Sequence, residues 1–247
     1  MSARKVRIDQ LVVDRGLADS RTKAQALVLA GRVLADGTRV DKAGARVAES
    51  AEISLKGEVL PYVSRGGVKL AGAIDGLGVA VAGLRCLDVG ASTGGFTDCL
   101  LQRGAKSVAA VDVGYGQLAA KLRTDARVLV KERTNARTLA PEDIGGEVDL
   151  TVVDASFIGL GKLLPAIARC TKKGGWLLAL VKPQFEVGRE EASKSKGVVR
   201  DEKVRAAAIE RVAEEVRDAG FRVLGQRDST LAGPSGNLEA FIWAERT

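Results

Sequence analysis

At 247 residues the chain can hold one large domain, or a medium domain beside a small one, and its 46% hydrophobic share is that of a globular protein. Lys and Arg outnumber Asp and Glu by 38 to 31, a net charge of +7, which favours an acidic partner, nucleic acid first. The absence of histidine excludes imidazole acid–base chemistry and most catalytic zinc sites, so no metal is expected; Cys86, Cys99 and Cys170, without a C-x-x-C, read as reduced, buried thiols. No signal-like segment opens the chain and no apolar run approaches the roughly 18 residues of a spanning helix, so the expectation is a soluble, cytoplasmic protein with no membrane partner.

Residues 1–58 read as a module of their own. Ile8, Leu11, Val12 and Leu17 recur at helical spacing and Gly16 closes that helix. Ser20 is the expected N-cap of a second helix with Ala24, Leu27 and Val28 on its apolar face, and Gly31 ends it. Short strands are expected over 32–35, 38–40 and 52–55, with a hairpin turn at Asp36-Gly37. Arg4, Lys5, Arg7, Arg15, Arg21, Lys23 and Arg32 cluster on this module, as cations that track phosphates do, although a solvated helix face carries the same pattern. Asp9, Arg15-Gly16, Ser20-Arg21, Ala24 and Gly31 stand in the register of the S-four-like RNA-binding domains, which this segment resembles. That resemblance implies a basic face for structured RNA.

Residues 59–67 break both periodicities, with Pro61 and Gly66-Gly67, and are expected to link the domains; Arg65 there is a further candidate RNA contact. From 68 to 247, helical and strand patterns alternate. A helix is expected over 70–77, then strands over 84–89, 108–113, 128–130, 148–153 and 176–181. Helices are expected near 117–122 and over 160–170 and 201–219, a turn at Lys173-Gly174-Gly175, and a final hairpin over 221–226 and 238–244. Continuous apolar strands alternating with helices imply an α/β fold with a parallel sheet covered on both faces, its last strand antiparallel.

The stretch Gly90-Ala91-Ser92-Thr93-Gly94-Gly95-Phe96, between the first strand and a helix, is a loop where a backbone can approach a ligand, although the G-x-G-x-x-G dinucleotide spacing is absent. Asp112, about 20 residues on at the end of the next strand, is placed to hold the two hydroxyls of a ribose, so an adenosine-like ligand is expected. Asp112, Asp154 and Lys182 each end a parallel strand and Glu239 starts the antiparallel one, which brings them to one rim, with Lys69 near it. Lys182 is best placed as a general base, Lys69 to tune it and steer the substrate, and Asp154 and Glu239 to orient the lysines. Taken singly, each is more ordinary: a capping aspartate, a solvated lysine, an edge-strand glutamate. Residues 184–201, polar and aperiodic, are equally a cover over the substrate or a surface loop.

D-V-G-A-S-T-G-G-F-T-D, V-D-V-G-Y-G-Q-L, E-R-T-N-A-R, V-V-D-A-S-F-I and L-V-K-P-Q-F-E, in that order, resemble the TlyA family, in which an S-four-like domain precedes an FtsJ-like methyltransferase domain. The resemblance implies a class I (Rossmann-like) methyltransferase sheet, S-adenosyl-L-methionine as cofactor, and ribosomal RNA in ribosomal subunits as partner, with no stable protein partner. It implies 2′-O-methylation of cytidine in large-subunit, and in some members small-subunit, ribosomal RNA. The family's Lys-Asp-Lys-Glu tetrad falls on Lys69, Asp154, Lys182 and Glu239. Asn135, in E-R-T-N-A-R, joins Gly90–Phe96 and Asp112 as cofactor-binding. The competing readings are a pore-forming haemolysin, an RNA-binding protein without transferase activity and, weakest, a dehydrogenase.

Overall fold

The computed structural model describes residues 4–18, 20–56, 60–187 and 197–247. The chain divides into two compact units, Met1–Val59 and Leu60–Thr247.

In the first unit, β1 (Lys5–Arg7) runs into α1 (Ile8–Asp14), and α2 (Arg21–Leu29) follows with Ser20 as N-cap, its hydroxyl accepting from the Lys23 amide. β2 (Val33–Ala35), β3 (Thr38–Val40) and β5 (Ile53–Leu55) form one antiparallel sheet in the order β3-β2-β5, and β4 (Arg46–Ala48) pairs with β1. Asp36 and Gly37 both take positive φ, 49° and 76°, the pair of values a two-residue hairpin turn needs to match strand twist. Ile8, Val12, Ala24, Val28 and Val33 form the core. The β1–β4 pair has no sequence signal: at three residues each, the strands are too short to show alternation, and only their pairing defines them. Arg4, Lys5 and Arg7 accordingly lie before and on a strand, not on the first helix.

The second unit is a seven-stranded sheet flanked by helices. Its order is β11 (Phe221–Asp228), β12 (Ala240–Arg246), β10 (Thr171–Val181), β9 (Val148–Val153), β6 (Arg85–Val89), β7 (Ser107–Val111), β8 (Val128–Lys131). The five strands β6 to β10 are parallel, and β12 runs antiparallel between β10 and β11. Helices α3 (Arg65–Leu77) and α4 (Gly95–Gln102) cover one face, burying Leu70, Ile74, Phe96 and Leu100 against Leu150, Val152, Leu178, Leu180 and Phe241. Helices α6 (Leu164–Cys170) and α8 (Glu202–Asp218) cover the other, packing Leu164, Ile167, Val212 and Val216 against Leu177, Ala179, Val181 and Ile242. The single-turn helices α5 (Ala120–Arg123) and α7 (Pro183–Glu186) complete the unit.

Three expectations are corrected. Helix α3 begins at Arg65, inside the stretch 59–67 read as a linker. Tyr62 packs over Gly67 and the Val63 amide donates to Asp98 Oδ2 of α4, so two glycines in a first turn do not break the helix. The turn expected at 173–175 is a bulge within β10, where the register with β9 shifts between Thr171 and Trp176. The helix expected over 160–170 is a 3₁₀ turn (Leu160–Lys162) followed by α6, because Pro165 sits in the first turn and supplies no amide donor. The reading of residues 184–201 falls largely on 188–196, outside the described residues.

All three thiols are buried among apolar side chains. Burial pushes Cys86 up to about 12 and Cys99 and Cys170 each up to about 11, so the reactive thiolate is scarce. The folded protein is expected to leave all three unmodified by iodoacetamide at pH 8, and to react at all three in denaturant; a thiol alkylated at the rate of a free cysteine under native conditions would contradict this packing.

Candidate active site

Strand alternation decides which side chains share a side of the sheet. Leu150 and Val152, Leu178 and Leu180, and Phe241 all face α3 and α4. Continued one residue past each strand, the two-residue period sends Asp154, Lys182 and Glu239 to that same side. The ladder agrees, since Val181 pairs with Ala240 and the next opposed positions are Lys182 and Glu239. Lys69, on α3, reaches the rim from above.

These four side chains form two ion pairs. Lys69 Nζ lies 2.5 Å from Glu239 Oε2, with the two residues 6% and 1% exposed. Lys182 Nζ lies 2.5 Å from Asp154 Oδ1 and donates to Ser156 Oγ at 2.7 Å, and this pair is more accessible. The two lysines therefore differ in kind. Lys69 is sealed beside its carboxylate, whereas Lys182 lines an open hollow. Ser156, which the sequence does not single out, has as its only signal a small polar residue two positions after a strand-ending carboxylate.

That hollow, about 230 Å³, is lined by Ser64, Gly66, Gly90, Ala91, Ser92, Thr93, Gly95, Phe96, Asp154, Ser156 and Lys182. It adjoins a cleft of about 480 Å³ that shares Gly90, Ser92, Asp154 and Ser156 and continues past Asp112 and Asn135 to Val113, Phe157, Ile158 and Leu163. Gly90 is required where the two meet. Its φ is +86°, and an added Cβ would stand 2.6 Å from the Asp154 carbonyl oxygen. Asp112 accepts from the Ser92 amide through Oδ2 (2.8 Å) and from the Gly114 amide through Oδ1 (2.6 Å), which fixes its carboxylate at the cleft wall. Asn135 spends its oxygen on the Arg137 amide as an N-cap, leaving its amide group to the cleft. Two residues of the loop serve packing. Gly94 lines neither hollow and faces Leu118 and Leu122 instead, and Phe96 is 2% exposed and stacks on Phe241 with ring centroids 6.0 Å apart.

Beneath the loop lies Asp88, fully buried. Its Oδ2 accepts from the Thr97 amide (2.9 Å) and hydroxyl (2.6 Å), while Oδ1 has no partner. Burial pushes this carboxyl up to about 7, against the pull of the Thr97 hydrogen bonds and with help from Asp154. A charged residue inside the apolar run L-D-V was its sequence signal.

In the first unit the candidate RNA contacts separate into groups. Arg7 and Arg21 both bind Asp9. Arg4 pairs with the Glu49 side chain at 3.7 Å and Arg15 donates to the Glu49 carbonyl at 3.1 Å. Arg32 donates to the Lys56 carbonyl, and Lys5 and Lys23 are exposed. Arg65 belongs to the second unit, where it donates to the Ala232 carbonyl.

Two family models match the chain: the FtsJ-like methyltransferase over residues 62–246 and the S4 domain over residues 6–53. The chain is 49% identical, over 242 residues covering 98% of it and 90% of the relative, to the 16S/23S rRNA (cytidine-2′-O)-methyltransferase TlyA of Mycobacterium tuberculosis. It is 39% identical, over 95% of its length and 97% of the relative's, to hemolysin A of Brachyspira hyodysenteriae. Among solved structures it is similar to a candidate hemolysin from Streptococcus thermophilus, with 43% identity, a TM-score of 0.76, and coverage of 100% of this chain and 90% of that one.

Removing Lys69 strands a carboxylate in a dry site, so Lys69→Met is expected to lower unfolding free energy by about 3–5 kcal/mol, and Lys69→Met with Glu239→Leu to recover much of it. Urea unfolding measures both, and a single variant as stable as the parent would contradict the buried pair. Asp88 yields a second expectation. Its folded carboxyl holds its proton up to about pH 7 and its unfolded carboxyl to about pH 4, so the folded state binds more protons between them and stability falls as pH rises across that window. Asp88→Asn should flatten that slope in unfolding curves taken from pH 4 to 8.

Proposed function

The chain belongs to the TlyA branch of the FtsJ-like methyltransferases, and from that premise we propose that it methylates the 2′-hydroxyl of cytidine in ribosomal RNA, of the large subunit and also of the small, using S-adenosylmethionine. The observation that carries this reading is the meeting of two features at one rim: an open hollow ending at Lys182 and a cleft ending at Asp112, joined at Gly90.

The cleft fits the cofactor on its own chemistry. Asp112 offers a fixed carboxylate for two ribose hydroxyls, Val113, Phe157, Ile158 and Leu163 offer apolar surface for a base, and Asn135 offers a donor at its edge. The Gly90–Gly95 loop, small at every position, lets backbone come close. S-adenosylmethionine, when bound, supplies an electrophilic methyl carbon on a sulfonium. The remaining work belongs to the chain. Lys182 Nζ takes the proton of the attacking 2′-hydroxyl. Asp154 and Ser156 hold that nitrogen at the rim, and the Lys69–Glu239 pair anchors α3 and the start of β12 beneath it. Alignment of the hydroxyl with the cleft provides much of the rate. The first unit, residues 1–58, carries the RNA to this site, and residues 68–247 perform the chemistry. Ribosomal RNA within ribosomal subunits is the partner.

The short Lys182–Asp154 pair supports a second role for Lys182, as a charged donor that orients the 2′-oxygen. Lys182→Arg separates the two, because it keeps charge and donors and removes the base. A hemolysin name among the relatives raises lysis, but among the described residues no helix is long and apolar enough to cross a membrane.

The test is methyl transfer from labelled S-adenosylmethionine to purified large and small subunits. Transfer is expected, with a loss of about 10²–10⁴-fold in kcat for Lys182→Ala and for Lys182→Arg, and donor affinity little changed. Full activity in Lys182→Arg alone would replace the base with the orienting role. No donor binding by the parent would sink the enzyme reading.

A further inference from the structure

Asp9 is fully buried, yet five donors converge on its carboxylate. Oδ1 accepts from Arg7 Nε at 3.0 Å and the Gln10 amide at 3.0 Å, and Oδ2 accepts from Arg7 Nη2 at 2.8 Å, Arg21 Nε at 3.0 Å and Gln25 Nε2 at 2.8 Å. Arg7 ends β1, Asp9 lies in the first turn of α1, and Arg21 and Gln25 belong to α2, so one side chain ties three elements together. The two arginines remain 44% and 50% exposed. Arg7 is held fork-on through Nε and Nη2, and Arg21 through Nε, so Nη1 of Arg7 and both Nη atoms of Arg21 lie outside the Asp9 contacts. Both guanidiniums touch the same carboxylate oxygen, which brings them close enough to serve one phosphate group.

Left to themselves two cations would repel and spread, and each long side chain would lose rotamer freedom on meeting RNA. A carboxylate between them cancels one charge and so weakens attraction to any polyanion. A buried aspartate here therefore has two effects of opposite sign on RNA binding, one through charge and one through order. The Arg7 hydrogen bond holds the Asp9 carboxyl well below the usual carboxylate range, so both effects operate throughout the neutral range.

We infer that Asp9 is a positioning residue for RNA recognition: it presents Arg7 and Arg21 as a preformed pair of guanidiniums that grips the phosphate backbone of folded ribosomal RNA, exchanging general attraction for geometric fit. Asp9 acts through the arginines and does not touch the RNA. The inference rests on the reading that the first unit binds ribosomal RNA.

The sign of the effect tests it. In the full-length chain, Asp9→Asn raises net charge by one while releasing both arginines. Binding is measured to purified ribosomal subunits and to unstructured polyuridine over a range of salt, with methyl-transfer kinetics alongside. The expected result is subunit affinity lower by about tenfold, KM raised with kcat unchanged, and polyuridine affinity equal or higher with an equal or steeper salt dependence. Subunit and polyuridine affinity rising together would overturn the proposal, because charge alone would then account for Asp9. Arg7→Lys covers the case in which Asp9→Asn does not fold. It keeps the charge on a half-exposed side chain and removes the fork, so it should also lose subunit affinity; binding equal to the parent's would overturn the proposal. Arg7→Ala with Arg21→Ala separates the two readings. Undiminished subunit binding by that double variant would remove the first unit from RNA recognition altogether, whereas a loss there with none in Asp9→Asn would refute only the role of Asp9.

Discussion

A lysine ammonium and a glutamate carboxylate 170 residues apart share one buried position between α3 and the start of β12, at the rim where Asp154 and Lys182 also stand. Each charge alone would be costly to bury; together they require each other, and so join α3 to β12, the last strand in the chain. The sheet supplies the rest by its two-residue period. Once Leu178 and Leu180 face α3 and α4, Lys182 must face the same way, and the same holds for Asp154 after Val152 and Glu239 before Phe241. An antiparallel β12 beside β10 is what makes the beginning of one strand meet the end of another.

The same economy of backbone shapes the cleft. Gly90 passes so close to the Asp154 carbonyl that no side chain could stand where the cleft and the hollow adjoin. Asp112 is held by two amides, so its carboxylate stands in place with no need of a ligand to order it. Asp88 lies below, with one oxygen satisfied and one without a partner, its carboxyl pushed up by burial. Acidic side chains at 88, 112 and 154 thus flank a loop whose own residues are uncharged.

The first unit uses charge differently. In the second unit Lys69 meets Glu239 where both are buried; in the first, two half-exposed arginines meet the buried Asp9 carboxylate. Arg4 meets the Glu49 side chain and Arg15 the Glu49 carbonyl, whereas Arg7 and Arg21 share one carboxylate. A count of cations treats these residues as equals, and the structure sorts them by what holds each in place.

By itself the sequence determined the alternation of strands and helices, the glycine loop, the acid after the second strand and the four charged residues at strand and helix ends. Each is a local pattern: a period of two or 3.6, a turn residue, a charge ending an apolar run. Only the tertiary structure decided that Lys69 is sealed while Lys182 is open, that Gly94 and Phe96 serve packing, that Ser156 holds Lys182, and that α3 starts at Arg65 despite Gly66 and Gly67. Short β1 and β4, the bulge inside β10 and the gathering of two arginines on Asp9 were hidden for the same reason. Burial and pairing are set by residues far apart in the chain, and no local window contains the partner that decides them.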